Sequence, residues 1–260
     1  LYEIYVYLTI ITYIYINMTK QDNFYLTVES DSFFERNKKL NNQFLDNFKS
    51  KKIRTRKEQI YNLIQKKYKI KKKTKVLEVG CYFGDLLSFI KKKHGCTVYG
   101  VEPSKKACQI AKKYFSINVE NKTFLKSKFF NFSKNSFQKI DIIIFDDILS
   151  WIDRDVILPT FGVIDWILKP NGIIFFRDFM PKKNFAHPNH HWKGKEIFNF
   201  KYQDGHKSFF LKSGKYKQIY NRIYFSDKMQ NIKIKNKDSM LWGDSILKKI
   251  SKFTHPIITI

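Results

Sequence analysis

From residue 75 onward, short apolar runs alternate with stretches whose apolar positions recur at helical spacing, which predicts buried strands interleaved with amphipathic helices. KVLEVG (75–80) reads as a strand ending in glycine and DLLSFIKKK (85–93) as a helix, so the chain passes strand, tight turn, helix. CTVYGVE (96–102) is a second strand ending in an acid, and PSKKACQIAKK (103–113) a helix with Pro103 near its start. Strands are also expected at 117–119 and 140–145, a helix at 154–168, a turn at LKPNG, and a strand at GIIFFRDF (172–179). The run 206–225 carries two aromatic, β-rich pieces around Ser213-Gly214 and reads as an antiparallel hairpin. The expected architecture is therefore α/β: a mostly parallel sheet closed by an antiparallel hairpin, with helices on both faces.

The flanks differ. Phe33, Phe34, Leu40, Phe44, Leu45 and Phe48, then Ile60, Leu63 and Ile64, recur near helical spacing, so 18–73 reads as a helical cap, either packed on the main domain or lying over a substrate site. Residues 1–17, rich in Tyr and Ile, read as upstream or unstructured sequence; as a helix they would reach only about 26 Å, short of a bilayer core. The tail 226–260 holds one expected amphipathic helix near Trp242 to Ile250.

The chain has 260 residues and, with 49 basic and 23 acidic side chains, a formal charge of +26. That charge invites a nucleic-acid reading, but the basic residues are 43 Lys against 6 Arg, and Arg is the residue suited to forked contacts with phosphate and guanine. Lys-rich composition also follows from codons rich in A and T. Three cysteines, Cys81, Cys96 and Cys108, leave one unpaired in any disulfide scheme and point to a reducing, cytoplasmic setting.

The segments VLEVGCYFGDLL, VYGVEPSKKACQIAKK, IDIIIFDDIL and LKPNGIIFF, in this order and spacing, resemble class I S-adenosylmethionine-dependent methyltransferases over residues 74–225. The resemblance implies a Rossmann-like, seven-stranded sheet, S-adenosyl-L-methionine as cofactor, and a cofactor site at Glu78, Gly80, Cys81, Tyr82, Gly84, Glu102, Pro103 and Asp146. Two departures stand out: Tyr82 replaces the family's middle glycine, and no acid follows the third strand, which leaves backbone groups or Phe129 and Phe130 to hold the adenine. The chemistry accords with these residue types. Backbone close to a ligand calls for Gly80 and Gly84, the next helix offers its N-terminal NH groups to a carboxylate, Glu78 can meet an ammonium, and Glu102 can accept both ribose hydroxyls. A dinucleotide-dependent oxidoreductase shares the glycine turn and strand-end acid, but here the turn is G-x-x-x-G rather than G-x-G-x-x-G.

Methyl transfer to a hydroxyl requires alignment and a base. Strand ends supply Asp146, Asp147 and Asp178, and FAHPNHHW (186–192) supplies histidines; adjacent Asp146 and Asp147 point to opposite sides of an extended chain, and the favoured catalytic residues are Asp147 and His190. His187, His190 and His191 lack the cysteines or carboxylates a metal site needs, so no metal is expected. The loop 180–205 falls on the substrate side, where Trp192, Phe198, Phe200 and Tyr202 either stack on an acceptor or pack in the core. The Asp/Asn-Pro-Pro-aromatic motif of base amino-methylation is missing after the fourth strand, and no cysteine follows proline as cytosine C5 chemistry requires. The expected acceptor is a small molecule, with a sugar or cell-surface glycan precursor as the leading case. An RNA methyltransferase and a cofactor-binding module without turnover are the alternatives.

Overall fold

The computed structural model describes residues 20–48, 55–130, 139–189, 191–192, 194, 197–225 and 241–250. The expected segment 1–17, His190 and most of the stretch 226–260 lie outside them. Among the described residues, no helix is long and apolar enough to cross a membrane.

Helices α1 (Lys20–Phe24) and α2 (Ser30–Arg36) are joined by a π-helical turn, Tyr25–Glu29, and followed by α3 (Lys38–Phe48) and α4 (Thr55–Lys67). Among the described residues the helices of this segment begin at Lys20. The alternating region gives β1 (Lys75–Val79), α5 (Asp85–His94), β2 (Thr97–Val101), α6 (Lys105–Phe115), β3 (Val119–Glu120), β4 (Ile140–Asp146), α7 (Arg154–Ile167) and β5 (Leu168–Phe179). A two-stranded ribbon, β6 (Phe185–Pro188) with β7 (Phe198–Lys201), precedes α8 (Lys207–Lys212), β8 (Tyr216–Phe225) and β9 (Leu241–Lys249).

The main sheet has seven strands in the order β3-β2-β1-β4-β5-β9-β8. β3 through β5 run parallel, whereas β9 pairs antiparallel with both β5 and β8. Successive strand residues enter opposite layers, as the two-residue period demands. Leu77, Ile143, Ile174 and Leu247 pack with Phe161 and Ile164 of α7 and Phe210 of α8. Val76, Ile142, Ile173 and Ile246 pack with Ile60 and Ile64 of α4 and Leu86 and Ile90 of α5. Burial on both faces explains why these strands read as continuous apolar runs.

Two expectations are corrected. The 206–225 segment is not a hairpin: its first half is α8, ended by Ser213 and by Gly214 at φ 71°, and its second half is β8, whose antiparallel partner is β9. Phe209 and Phe210 looked like strand residues, but as helix residues they pack their rings on Phe161. The amphipathic helix expected at Trp242 to Ile250 is strand β9, so the sheet extends past residue 225. Asp244 and Ser245 are both buried, Asp244 in a two-pronged pair with Arg177 at 2.6 and 2.9 Å. The turn at LKPNG survives as a bulge inside β5, with Ile140 opposite Leu168 and Ile142 opposite Ile173, and Asn171 at φ 65°.

Because β9 sits between β5 and β8, both of its faces are core. Ile246→Ala and Leu247→Ala are each expected to cost about 2–5 kcal/mol in urea unfolding; a loss under about 1 kcal/mol at either position would contradict this placement.

Candidate active site

The carboxyl ends of β1, β2 and β4 surround the glycine bend. Gly80 at φ 68°, Tyr82 at φ 52° and Gly84 at φ 67° turn the chain sharply between β1 and α5. Gly80 holds the turn to β2 by donating its NH to the Val101 carbonyl at 2.8 Å. A Cβ at Gly80 would lie 2.8 Å from Ile148 Cγ1, so both the positive φ and the lack of space require glycine there. Cys81 turns inward, fully buried against Gly100, where an added Cβ would meet its Sγ at 2.7 Å. Only the backbone of Cys81 is left to meet a ligand.

Tyr82 faces the cap. Its hydroxyl accepts a hydrogen bond from Asn41 Nδ2 at 2.7 Å, and its ring packs on Phe33, Phe34 and Phe83. The side chain that replaces the middle glycine therefore anchors α2 and α3 over the bend.

Glu102 is buried, and its two oxygens accept the backbone NH groups of Tyr82 at 3.0 Å and Ser104 at 2.9 Å. Burial nevertheless pushes its carboxyl up, to about 7. The next turn is tied to the cap as well: Asp31 accepts from Ser104 Oγ at 2.7 Å and from the Lys106 NH at 3.1 Å. Pro103 lies between these bonds, its carbonyl accepting from Asn121 Nδ2 at 2.8 Å. Phe129 packs edge-on against Tyr99, with ring centroids 5.7 Å apart, on the β2 side of the bend.

Glu78 is 0% exposed. Lys57 of α4 donates to its Oε1 at 2.5 Å, while Oε2, equally buried, has no hydrogen-bond partner among the described residues. Burial raises Glu78 to about 7, with Lys57 opposing. Lys57 also lies 3.0 Å from Asp146, which accepts from Arg56 Nε and a terminal nitrogen at 3.0 and 2.5 Å. For Asp146 burial is outweighed by Lys57 and Arg56, which hold its carboxyl well below the usual range. Asp147, at φ 61° and so not part of an extended chain, keeps 31% of its side chain exposed and lies 3.8 Å from the same Arg56 that holds Asp146. Burial, then Asp146 and Asp178, push Asp147 up toward about 8, with Arg56 pulling the other way.

Beside this pair, Asp178 accepts from the Phe179 NH at 2.7 Å and pairs with His206 Nδ1. Lys201 of β7 is buried, its ammonium over the Phe179 ring, and burial lowers it to about 8 against the pull of Asp147 and Asp178. The ribbon is covered by α1: Gln21 donates to the carbonyls of Trp151 and Phe198 at 3.0 and 2.9 Å and accepts from the Phe198 NH at 2.9 Å. Trp192 packs on Phe24 and donates its indole NH to Glu29. It therefore closes the cap rather than standing open, while Tyr202 packs against His206 and Phe209. His187 is half-buried beside Pro188, and the His191 NH bonds to Asn189.

The structure thus brings Glu78, Gly80, Tyr82, Glu102, Asp146 and Asp147 together at the carboxyl ends of β1, β2 and β4. Arg56, Lys57, Lys201 and His206 were missed from sequence. Arg56 and Lys57 carried no reading of their own, and His206 fell at the start of the supposed hairpin.

The sequence profile of the methyltransferase domain family matches residues 35–219. An uncharacterized protein of Rickettsia prowazekii (strain Madrid E), RP028, is 31% identical over 102 residues, a match spanning 39% of this chain and 41% of that protein. The fold is shared with a Burkholderia thailandensis 1,6-didemethyltoxoflavin-N1-methyltransferase, solved with 1,6-didemethyltoxoflavin and S-adenosylhomocysteine, at a TM-score of 0.55 and 11% identity, covering 84% of this chain and 90% of that one. It is also shared with a SAM-dependent methyltransferase from Leishmania major, at a TM-score of 0.54 and 15% identity, covering 88% and 82%.

Lys57 is the buried counter-charge of two carboxylates, and its removal isolates Glu78. Lys57→Met is expected to cost about 3–5 kcal/mol. Adding Glu78→Gln should restore a large part of that loss in a denaturant double-mutant cycle. Simple additivity of the two changes would contradict the pairing.

Proposed function

Because the chain belongs to the S-adenosylmethionine-dependent methyltransferases, we propose that it transfers a methyl group to a small acceptor enclosed beneath the N-terminal cap, with a sugar or glycan precursor as the leading class. The observation that carries this reading is the enclosure. Side chains of the cap are bonded to the turns after β1, β2 and β4 and to the β6–β7 ribbon, through Asn41, Asp31 and Gln21. A crevice roofed in this way favours a compact acceptor over a polymer. The Burkholderia thailandensis neighbour, bound to a small heterocycle, is in keeping with it.

The residues present fit the cofactor. The partnerless buried oxygen of Glu78 suits its ammonium, Gly80 lets the backbone approach, and Glu102 keeps lone pairs for ribose hydroxyls. Arg56 and Lys57 add positive charge beside that site, which suits a carboxylate. Bound there, S-adenosylmethionine supplies an electrophilic methyl on a sulfonium. The protein's own part is to exclude water and align the acceptor. Asp147, at the edge of the crevice with part of its carboxyl open, is placed to hydrogen-bond the acceptor.

The reading is tested by tritium transfer from [methyl-³H]-S-adenosylmethionine into the small-molecule filtrate of a cell extract. Incorporation there supports it; incorporation only into the RNA fraction, lost steeply as salt rises, would replace it with an RNA methyltransferase.

Titration gives a second expectation. Glu78 and Glu102 are raised from 4.5 to about 7 in the folded protein, so their contribution to stability is present below about 4.5 and is lost as pH rises through about 7. A cationic, hydroxyl-bearing ligand favours both ionised forms. Its binding should therefore release protons, and affinity should rise by roughly tenfold or more between about pH 6 and pH 8. Calorimetry in buffers of different ionisation enthalpy measures this, and proton uptake on binding would contradict it.

A further inference from the structure

We propose that His206, held by Asp178, is the catalytic base that takes the proton from the acceptor, an inference that rests on the methyltransferase reading above and adds a residue to it. His206 and Asp178 are both 2% exposed. Asp178 ends β5, where its Oδ1 is fixed by the Phe179 NH at 2.7 Å and its Oδ2 faces His206 Nδ1. The other ring nitrogen, Nε2, is buried and has no hydrogen-bond partner among the described residues. A buried imidazole with one nitrogen held by a carboxylate and the other unpartnered is poorly explained as scaffolding alone, because an unmet buried polar atom costs about 1–3 kcal/mol.

The position is also right for this chemistry. The β1 and β2 ends, with Glu78 and Glu102, are the cofactor side, which leaves the β4 and β5 ends for the acceptor. On that side the Asp147 NH bonds to the Arg177 carbonyl at 2.7 Å, which sets Asp147 next to Asp178. Lys201, which feels both carboxylates, completes the polar floor. Phe161 and Tyr202 stand edge-on to the imidazole and fix its plane. A carboxylate on Nδ1 selects the tautomer with the proton on Nδ1 and a lone pair on Nε2.

The step balances as follows. Nε2 accepts the proton of an acceptor hydroxyl, the oxygen lone pair forms the bond to the methyl carbon, and the carbon–sulfur electron pair stays on sulfur. The products are the methyl ether and S-adenosylhomocysteine. The imidazolium charge is met by Asp178 until the proton leaves to water. Asp178 is thus a positioning residue, and the acceptor class is one bearing a removable proton on the attacking atom.

The test uses the full chain labelled with ¹⁵N-histidine and S-adenosylhomocysteine as the probe, His206 being assigned with His206→Gln. The expected spectrum shows a protonated Nδ1 and an unprotonated Nε2 whose signal moves when the probe binds. A proton on Nε2, or an Nε2 signal indifferent to the bound probe, overturns the proposal. In the tritium assay, His206→Gln is expected to lose at least about 100-fold in rate. Its calorimetric affinity for S-adenosylhomocysteine should stay within about threefold, and so should that of Asp178→Asn, with an intermediate loss of rate. A His206→Gln rate within about threefold of the parent also overturns the proposal. If the parent protein fails to bind S-adenosylhomocysteine at all, the methyltransferase reading itself falls, an outcome distinct from loss of the base alone.

Discussion

The site depends on a carboxylate that the fold has taken entirely out of water. Glu78 is 0% exposed at the tip of β1, and desolvating a charge there costs several kcal/mol unless a partner is supplied. Lys57 supplies it on one oxygen, leaving the other without a partner. This half-answered carboxylate explains why α4 must pack against the sheet, why Arg56 follows it onto Asp146, and why the crevice is disposed toward a cation. Gly80 is fixed at the bend next to it, because any Cβ there would collide with Ile148.

The cap extends the same logic. Asp31, Asn41 and Gln21 satisfy polar groups on the turns after β2, β1 and β4, so the roof of the crevice is made of hydrogen bonds as well as of Phe33 and Phe34 against Tyr82. Such contacts couple the cap to the very turns that would hold a cofactor. They also make the interior a place where a small acceptor could be desolvated beside Asp147, Lys201 and the Asp178–His206 pair.

Much of this could be read from residue order. The apolar runs, the glycine bend from Gly80 to Gly84 and the acids Glu78 and Glu102 are local signals, set within a few residues by backbone geometry. Groups whose meaning is set across the fold were not legible. Lys57 meets Glu78 from 21 positions away, and Arg56 meets Asp146 from 90. Buried Asp244 is accounted for by Arg177, 67 positions away. His206 failed to register for the same reason: nothing near it in the chain announces Asp178.

The central claim is that the unpartnered oxygen of Glu78 and the carboxylate of Glu102 are the two ends of a cofactor berth. A crystal structure with S-adenosylhomocysteine tests it most directly. The account predicts the amino group of that compound within hydrogen-bond distance of Glu78 Oε2 and its ribose hydroxyls on Glu102. A ligand bound elsewhere, or one that leaves Glu78 Oε2 unmet, would contradict it.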